Sequence, residues 1–249
     1  MGGEVRGKVR GILFDKDGTL FDYHGTWAPI LVEAAEIAAR GRREIVPEML
    51  AAIGYDVKTA RVTAGSIAAA GDTFGLADAW LSIAGGWDRR ALIEEMDGLF
   101  VRLAPERSLP VTDLPAFFNG LRNRSIRTGI ATNDAGASAW ATILRFGLES
   151  YIEFAAGYDS GHGQKPGPGM ALAFCAATGL APGEIAVVGD NSHDLEMGRS
   201  AGAALKIGVL TGTSSRDELL PLADHVIGSI VELPALLDRL ALKRDPRST

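Results

Sequence analysis

Cysteine is almost missing from this 249-residue chain, where Cys175 stands alone. No disulfide forms within the chain, and folding does not depend on one. Cys175 sits in Met170-Ala-Leu-Ala-Phe-Cys-Ala-Ala, which reads as a small buried hydrophobe on a helix. An excess of basic charge is missing too: 25 Lys and Arg face 31 Asp and Glu, a net charge of −6. That balance gives no general attraction for nucleic-acid backbones or anionic membranes, so neither is expected as a partner. Long hydrophobic runs are absent, and nothing approaches the roughly 18 apolar residues of a membrane span. The run before Asp15 is too short for a signal-peptide core, and Arg6 stands where a myristoylation signal takes Ser or Thr. A cytoplasmic protein is expected.

What remains is ordinary globular composition, 47% apolar and 22% charged, at a length that predicts one to two domains. Short apolar runs alternate with helical patterns. Strands are expected at Val9–Phe14, Ile126–Ala131, Ile185–Val188 and Ala203–Val209, with a short one at Asp224–Ile227. Helices are expected near 113–123, 136–146, 168–178, 193–201 and 229–242. Such alternation implies βαβ units around a parallel sheet, a Rossmann-like α/β core, with ligands beyond the carboxyl ends of its strands. Asp15, Thr132 and Asp190 each fall just after a strand.

Between Trp27 and about Leu103 the alternation stops. Only helical segments are legible, at 27–40, 47–53, 76–84 and 88–103, with Gly41, Gly54, Gly71 and Gly85-Gly86 as stops. This stretch is expected to be an inserted helical domain spanning 23–104. The core would then comprise 1–22 and 105–249, with Arg102–Pro110 as the returning linker. No internal repeat is visible.

Four short segments carry chemistry. Phe14-Asp-Lys-Asp-Gly-Thr-Leu20 puts two carboxylates at the end of an apolar strand, costly unless a cation or a proton relay uses them. Gly18 permits a tight turn that brings backbone N–H groups to an anion. Ala131-Thr-Asn-Asp134 offers the Thr132 hydroxyl and N–H, with Asn133 beside them, to a phosphoryl oxygen. Gly163-Gln-Lys-Pro-Gly-Pro168 holds Lys165 in a proline-stiffened loop. Val187-Val-Gly-Asp-Asn-Ser-His-Asp194 places Asp190 at a strand end and Asp194 about one helical turn on. Each segment alone also reads as turn or helix-cap chemistry. Together they supply the parts for moving a phosphoryl group, where catalysis is mostly positioning and charge neutralisation.

The ordered set Asp15-x-Asp17-Gly-Thr, Thr132, Lys165 and Gly189-Asp190-x-x-x-Asp194 strongly resembles the haloacid dehalogenase superfamily. The closest look is to its phosphoglycolate-phosphatase-like branch, with the insertion as a C1 helical cap. The resemblance implies an Mg2+-dependent phosphatase acting on a small soluble phosphomonoester, phosphoglycolate-like or a sugar phosphate. It assigns Asp15 as the nucleophile that becomes an aspartyl-phosphate, and Asp17 as general acid and base. It assigns Thr132, Asn133, Lys165 and Gly18 to the phosphoryl group. Mg2+ would take Asp15, the Asp17 carbonyl, Asp190 and Asp194, the last directly, through water or by holding Lys165. Asp17 argues for a phosphate ester, since the family's dehalogenases lack it and its phosphonatases carry alanine there.

Lys16 departs from the apolar residue usual between the two aspartates. It is expected to point away from the metal and to be neutral, because neighbours on an extended segment alternate faces. His24 and His193 are weaker candidates, as are Trp27, Tyr55, Lys58, Arg61 and Ser66 for gripping the leaving group. The rival readings are a phosphotransferase of the β-phosphoglucomutase type and, in another class, a phospho-accepting signalling or binding protein.

Overall fold

The computed structural model describes residues 9–242. The N-terminal residues weighed above as a signal, and the outermost ends of the expected core, lie outside them. In chain order come β1 (Gly11–Phe14), α1 (Tyr23–Ala38), α2 (Val46–Ala52), β2 (Tyr55–Asp56), β3 (Arg61–Val62) and α3 (Ile67–Ala70). Next are α4 (Thr73–Ala84), α5 (Arg89–Arg107), α6 (Leu114–Asn123), β4 (Arg127–Ala131), α7 (Gly136–Arg145) and β5 (Ile152–Ala156). The chain continues through α8 (Gly169–Thr178), β6 (Ile185–Gly189), α9 (Ser192–Ala201), β7 (Leu205–Val209), α10 (Arg216–Leu219), β8 (His225–Ile227) and α11 (Leu233–Leu242).

Six strands form one parallel sheet in the order β5-β4-β1-β6-β7-β8. β1 is central and wholly buried, which is why Gly-Ile-Leu-Phe reads as an unbroken apolar run. Phe14 is in register with Ile130 on one side and Val188 on the other. The residues just past these three strands therefore arrive at one edge. One sheet face packs α6 and α11 through Leu114, Phe118, Leu233 and Leu236. The other packs α8 and α9 through Met170, Phe174 and Met197, and Cys175 is buried there as expected.

Helices α1 to α5 lie between β1 and α6 and share their own apolar cluster, including Leu31, Trp80, Leu92 and Phe100. Two connectors join them to the sheet, side by side: Phe21 bridges Pro110 antiparallel, and Asp22 N–H donates to Leu109 C=O at 2.8 Å. Asp22 also caps α1 by accepting from Gly25 N–H. Three details differ from the sequence expectation. Helix α5 runs through Pro105 to Arg107, so 102–107 are helix and the return connector is only Ser108–Pro110. A two-residue hairpin, β2–β3, interrupts the helices, too short to give a periodic signal. Strand β5 was not expected at all.

Among the described residues, no helix is long and apolar enough to cross a membrane.

Candidate active site

The turn after β1 brings Asp15, Lys16 and Asp17 to the sheet edge, with β1 already finished at Phe14. Gly18 closes this turn at φ +93°, and a Cβ there would meet the Asp190 carboxylate at 2.6 Å. Only glycine permits both the left-handed backbone and that approach. The Gly18 N–H donates to Phe21 C=O at 2.7 Å. Gly18 is therefore committed to the turn through this N–H. Its role is to let Asp15 and Asp190 come together.

Asp15, Asp190 and Asp194 are all buried, with carboxylate oxygens within 4.8 Å of one another. Lys165 is buried between two of them, its Nζ 2.6 Å from Asp15 Oδ1 and 2.6 Å from Asp194 Oδ1. The remaining oxygens differ in a telling way. Asp194 Oδ2 accepts Asn191 N–H at 3.0 Å in the capping box that starts α9. Asp190 Oδ2 accepts Thr213 N–H at 2.9 Å. Asp15 Oδ2 is buried with no hydrogen-bond partner. An orphaned carboxylate oxygen beside two further carboxylates fits a hard cation, an incoming phosphorus, or both.

Thr132 is buried, and its hydroxyl accepts Asp134 N–H at 3.0 Å. Asn133 clasps the backbone of Lys165: Lys165 N–H donates to Asn133 Oδ1 at 2.9 Å, and Asn133 Nδ2 donates to Lys165 C=O at 3.2 Å. Two loops from different strands are thereby locked with both side chains in the cavity.

Lys16 points away from the Asp15, Asp190, Asp194 group, but it is not neutral to the site. It is fully buried, with Nζ 2.6 Å from Asp17 Oδ2 and 3.0 Å from Asp134 Oδ2. Its Nζ lies 5.5 Å from the centre of the Trp27 ring. Lys16 lies in a bend beyond the strand's end, which lets it reach the carboxylates of Asp17 and Asp134. The Asp17 carboxylate pairs with Lys16 and stands outside the Asp15, Asp190, Asp194 group. Its other oxygen, Oδ1, is buried without a hydrogen-bond partner.

The site is overloaded with negative charge: Asp15, Asp17, Asp134, Asp190 and Asp194 outnumber Lys16 and Lys165 by three. Burial, with the neighbouring Asp194 and Asp17 opposing Lys165, pushes the Asp15 carboxyl up to about 7. Burial and then Asp15 and Asp194 push Asp190 well above the carboxylate range. Burial likewise raises Asp17 against the pull of Lys16. Both lysines go the other way: burial disfavours each ammonium, but the paired carboxylates outweigh it and hold the pKa above the ordinary value. A buried set with this surplus fits a divalent cation.

The inserted helices cover the site. Trp27 lines the cavity, as do His193 and Tyr23. Tyr55, Lys58, Arg61 and Ser66 do not, and His24 instead faces Val62 N–H on the hairpin. Sequence reading missed Lys16, Asp134 and Thr213 as members of the site. For Thr213 a signal existed, since Thr211-Gly-Thr follows β7 at the same sheet edge.

A family model described as haloacid dehalogenase-like hydrolase matches residues 9–202. The phosphoglycolate phosphatase of Shigella boydii is 24% identical over 236 residues, 92% of each protein. The mouse N-acylneuraminate-9-phosphatase is 29% identical over 162 residues, and the chain spans 64% of that protein's length. Among solved structures, CbbY of Rhodobacter sphaeroides, in complex with phosphate, superposes with a TM-score of 0.68 at 20% identity. The match covers 92% of this chain and 99% of CbbY.

Proposed function

The chain belongs to the haloacid dehalogenase-like hydrolases, and we propose that it is an Mg2+-dependent phosphatase of small soluble phosphomonoesters, working through a phosphorylated Asp15. The observation that carries this reading is Asp15 itself. One of its oxygens is pinned by Lys165 and the other is buried and free beside Asp190 and Asp194. A carboxylate so held is both a cation ligand and a preoriented nucleophile.

Mg2+ would be held by Asp15, Asp190 and Asp194, with the Asp17 carbonyl, and would offset charge on the phosphoryl oxygens. In the first step Asp15 Oδ2 attacks phosphorus while the bond to the leaving alcohol breaks. Asp17, its Oδ2 occupied by Lys16, delivers a proton from Oδ1 to the departing oxygen. In the second step Asp17 takes a proton from water as that water attacks phosphorus, releasing phosphate and restoring the Asp15 carboxylate. Lys165 and the Thr132 hydroxyl face the phosphoryl group and offset its charge. Thr213 N–H steadies Asp190, and Asn133 steadies Lys165. The helices from α1 to α5 act as a lid that excludes water and selects the leaving group.

Turnover of 4-nitrophenyl phosphate should vanish after exhaustive chelation and return with added Mg2+. Ca2+ should bind but inhibit, because it prefers higher coordination and looser geometry. Full activity in the chelated protein would overturn the metal assignment. The two ester classes expected from the sequence, phosphoglycolate-like and sugar phosphate, differ in the charge of the alcohol released.

A further inference from the structure

We infer that the alcohol leaving this site carries no negative charge. The inference rests on the phosphatase reading and specifies its substrate class. The phosphoryl end of the cavity belongs to the sheet edge, whereas the leaving alcohol must extend toward the inserted helices. There it meets Trp27, Leu31, Ile67, Leu76 and Phe100, an apolar wall. The polar groups on that side carry no positive charge. Tyr23 spends its hydroxyl proton on Ala68 C=O. Asp72 is buried at the start of α4, where its Oδ1 accepts Gly75 N–H at 2.9 Å.

Among the described residues, no Lys or Arg of the inserted helices lines the cavity. Among the described residues Lys165 is the one Lys or Arg side chain that does, and Asp15 and Asp194 already hold it at the phosphoryl end. An alcohol bearing a carboxylate or second phosphate would lose its water against apolar side chains, with Asp72 nearby and no Lys or Arg of the inserted helices to pair with. A neutral alcohol meets the same wall without that penalty. Specificity here is set by an unpaired charge as much as by fit.

A matched pair of esters isolates the charge: 2-phosphoglycolate and its uncharged amide have nearly the same size and the same phosphoryl group. With Mg2+ present, kcat/KM for the amide should exceed that for phosphoglycolate by at least about tenfold. Asp72→Asn keeps a capping side chain on α4 but removes the carboxylate, and it should narrow that ratio several-fold. A ratio near one, or a preference for phosphoglycolate, would overturn the inference while leaving the phosphatase reading intact. Failure to hydrolyse either ester, with 4-nitrophenyl phosphate also untouched, would instead remove that reading and this inference with it.

Discussion

Asp17→Asn is expected to lower kcat/KM for an alkyl phosphate by roughly 10²–10⁴-fold, the usual contribution of a positioned general acid. The loss should be far smaller for 4-nitrophenyl phosphate, whose leaving group departs without a proton. The geometry behind this split is specific. Asp17 Oδ2 lies 2.6 Å from Lys16 Nζ, which leaves Oδ1 as the oxygen that carries and returns the proton. Because kcat/KM reports steps up to formation of the phosphorylated protein, it isolates the acid role from the later base role. With 4-nitrophenyl phosphate the base role becomes visible on its own: phosphorylation proceeds, water attack lags, and the covalent species accumulates. Equal losses on both esters would show that Asp17 acts through structure and not through its proton.

Lys16→Met is expected to cost about 3–5 kcal/mol of stability, the range for breaking a buried ion pair by removing one partner. The ammonium is fully buried and is shared by two carboxylates whose side chains are 9% and 5% exposed. Methionine matches its bulk, so the loss is electrostatic and not a cavity effect. It leaves Asp17 and Asp134 facing each other without a cation. Denaturant unfolding of the metal-free protein measures the effect without interference from a bound ion. A second substitution, Asp134→Asn, should recover a large part of it by removing one of the stranded charges. A loss under about 1 kcal/mol, below the usual cost of leaving a buried charge unpaired, would mean that water or protons already compensate the pair.

Lys16 also shows where sequence reasoning ends. The strand carrying it was legible because Gly-Ile-Leu-Phe is a fully buried central strand, and such strands read as apolar runs. The same holds for β6, while β4 starts at the exposed Arg127 and is buried beyond it; their ends place Asp190 and Thr132 beside Asp15. The partners of Lys16 in the turn beyond β1 were not legible, since the two-residue alternation applies only while the chain stays extended. Strand β5, Ile-Glu-Phe-Ala-Ala, escaped notice for another reason. It is an edge strand with Glu153 exposed, and two alanines weaken its β signal. The inserted helices announced themselves by number but not by inward face, so the apolar wall over the site became visible only in three dimensions. Of the residues proposed from sequence to grip the leaving group, Trp27 lines the cavity, whereas Lys58 and Arg61 do not.

The central claim is that phosphorus passes through Asp15. The direct measurement mixes Asp17→Asn protein with ³²P-labelled 4-nitrophenyl phosphate and Mg2+, quenches in acid, and maps the labelled peptide. The Asp17 substitution favours accumulation because it slows water attack on the acyl-phosphate. The account predicts label on Asp15, discharged by hydroxylamine as an acyl-phosphate should be. It predicts none in an Asp15→Asn partner, which should also lose essentially all turnover in the otherwise unaltered chain. Label mapped to any other residue, or substantial turnover in Asp15→Asn, would contradict it.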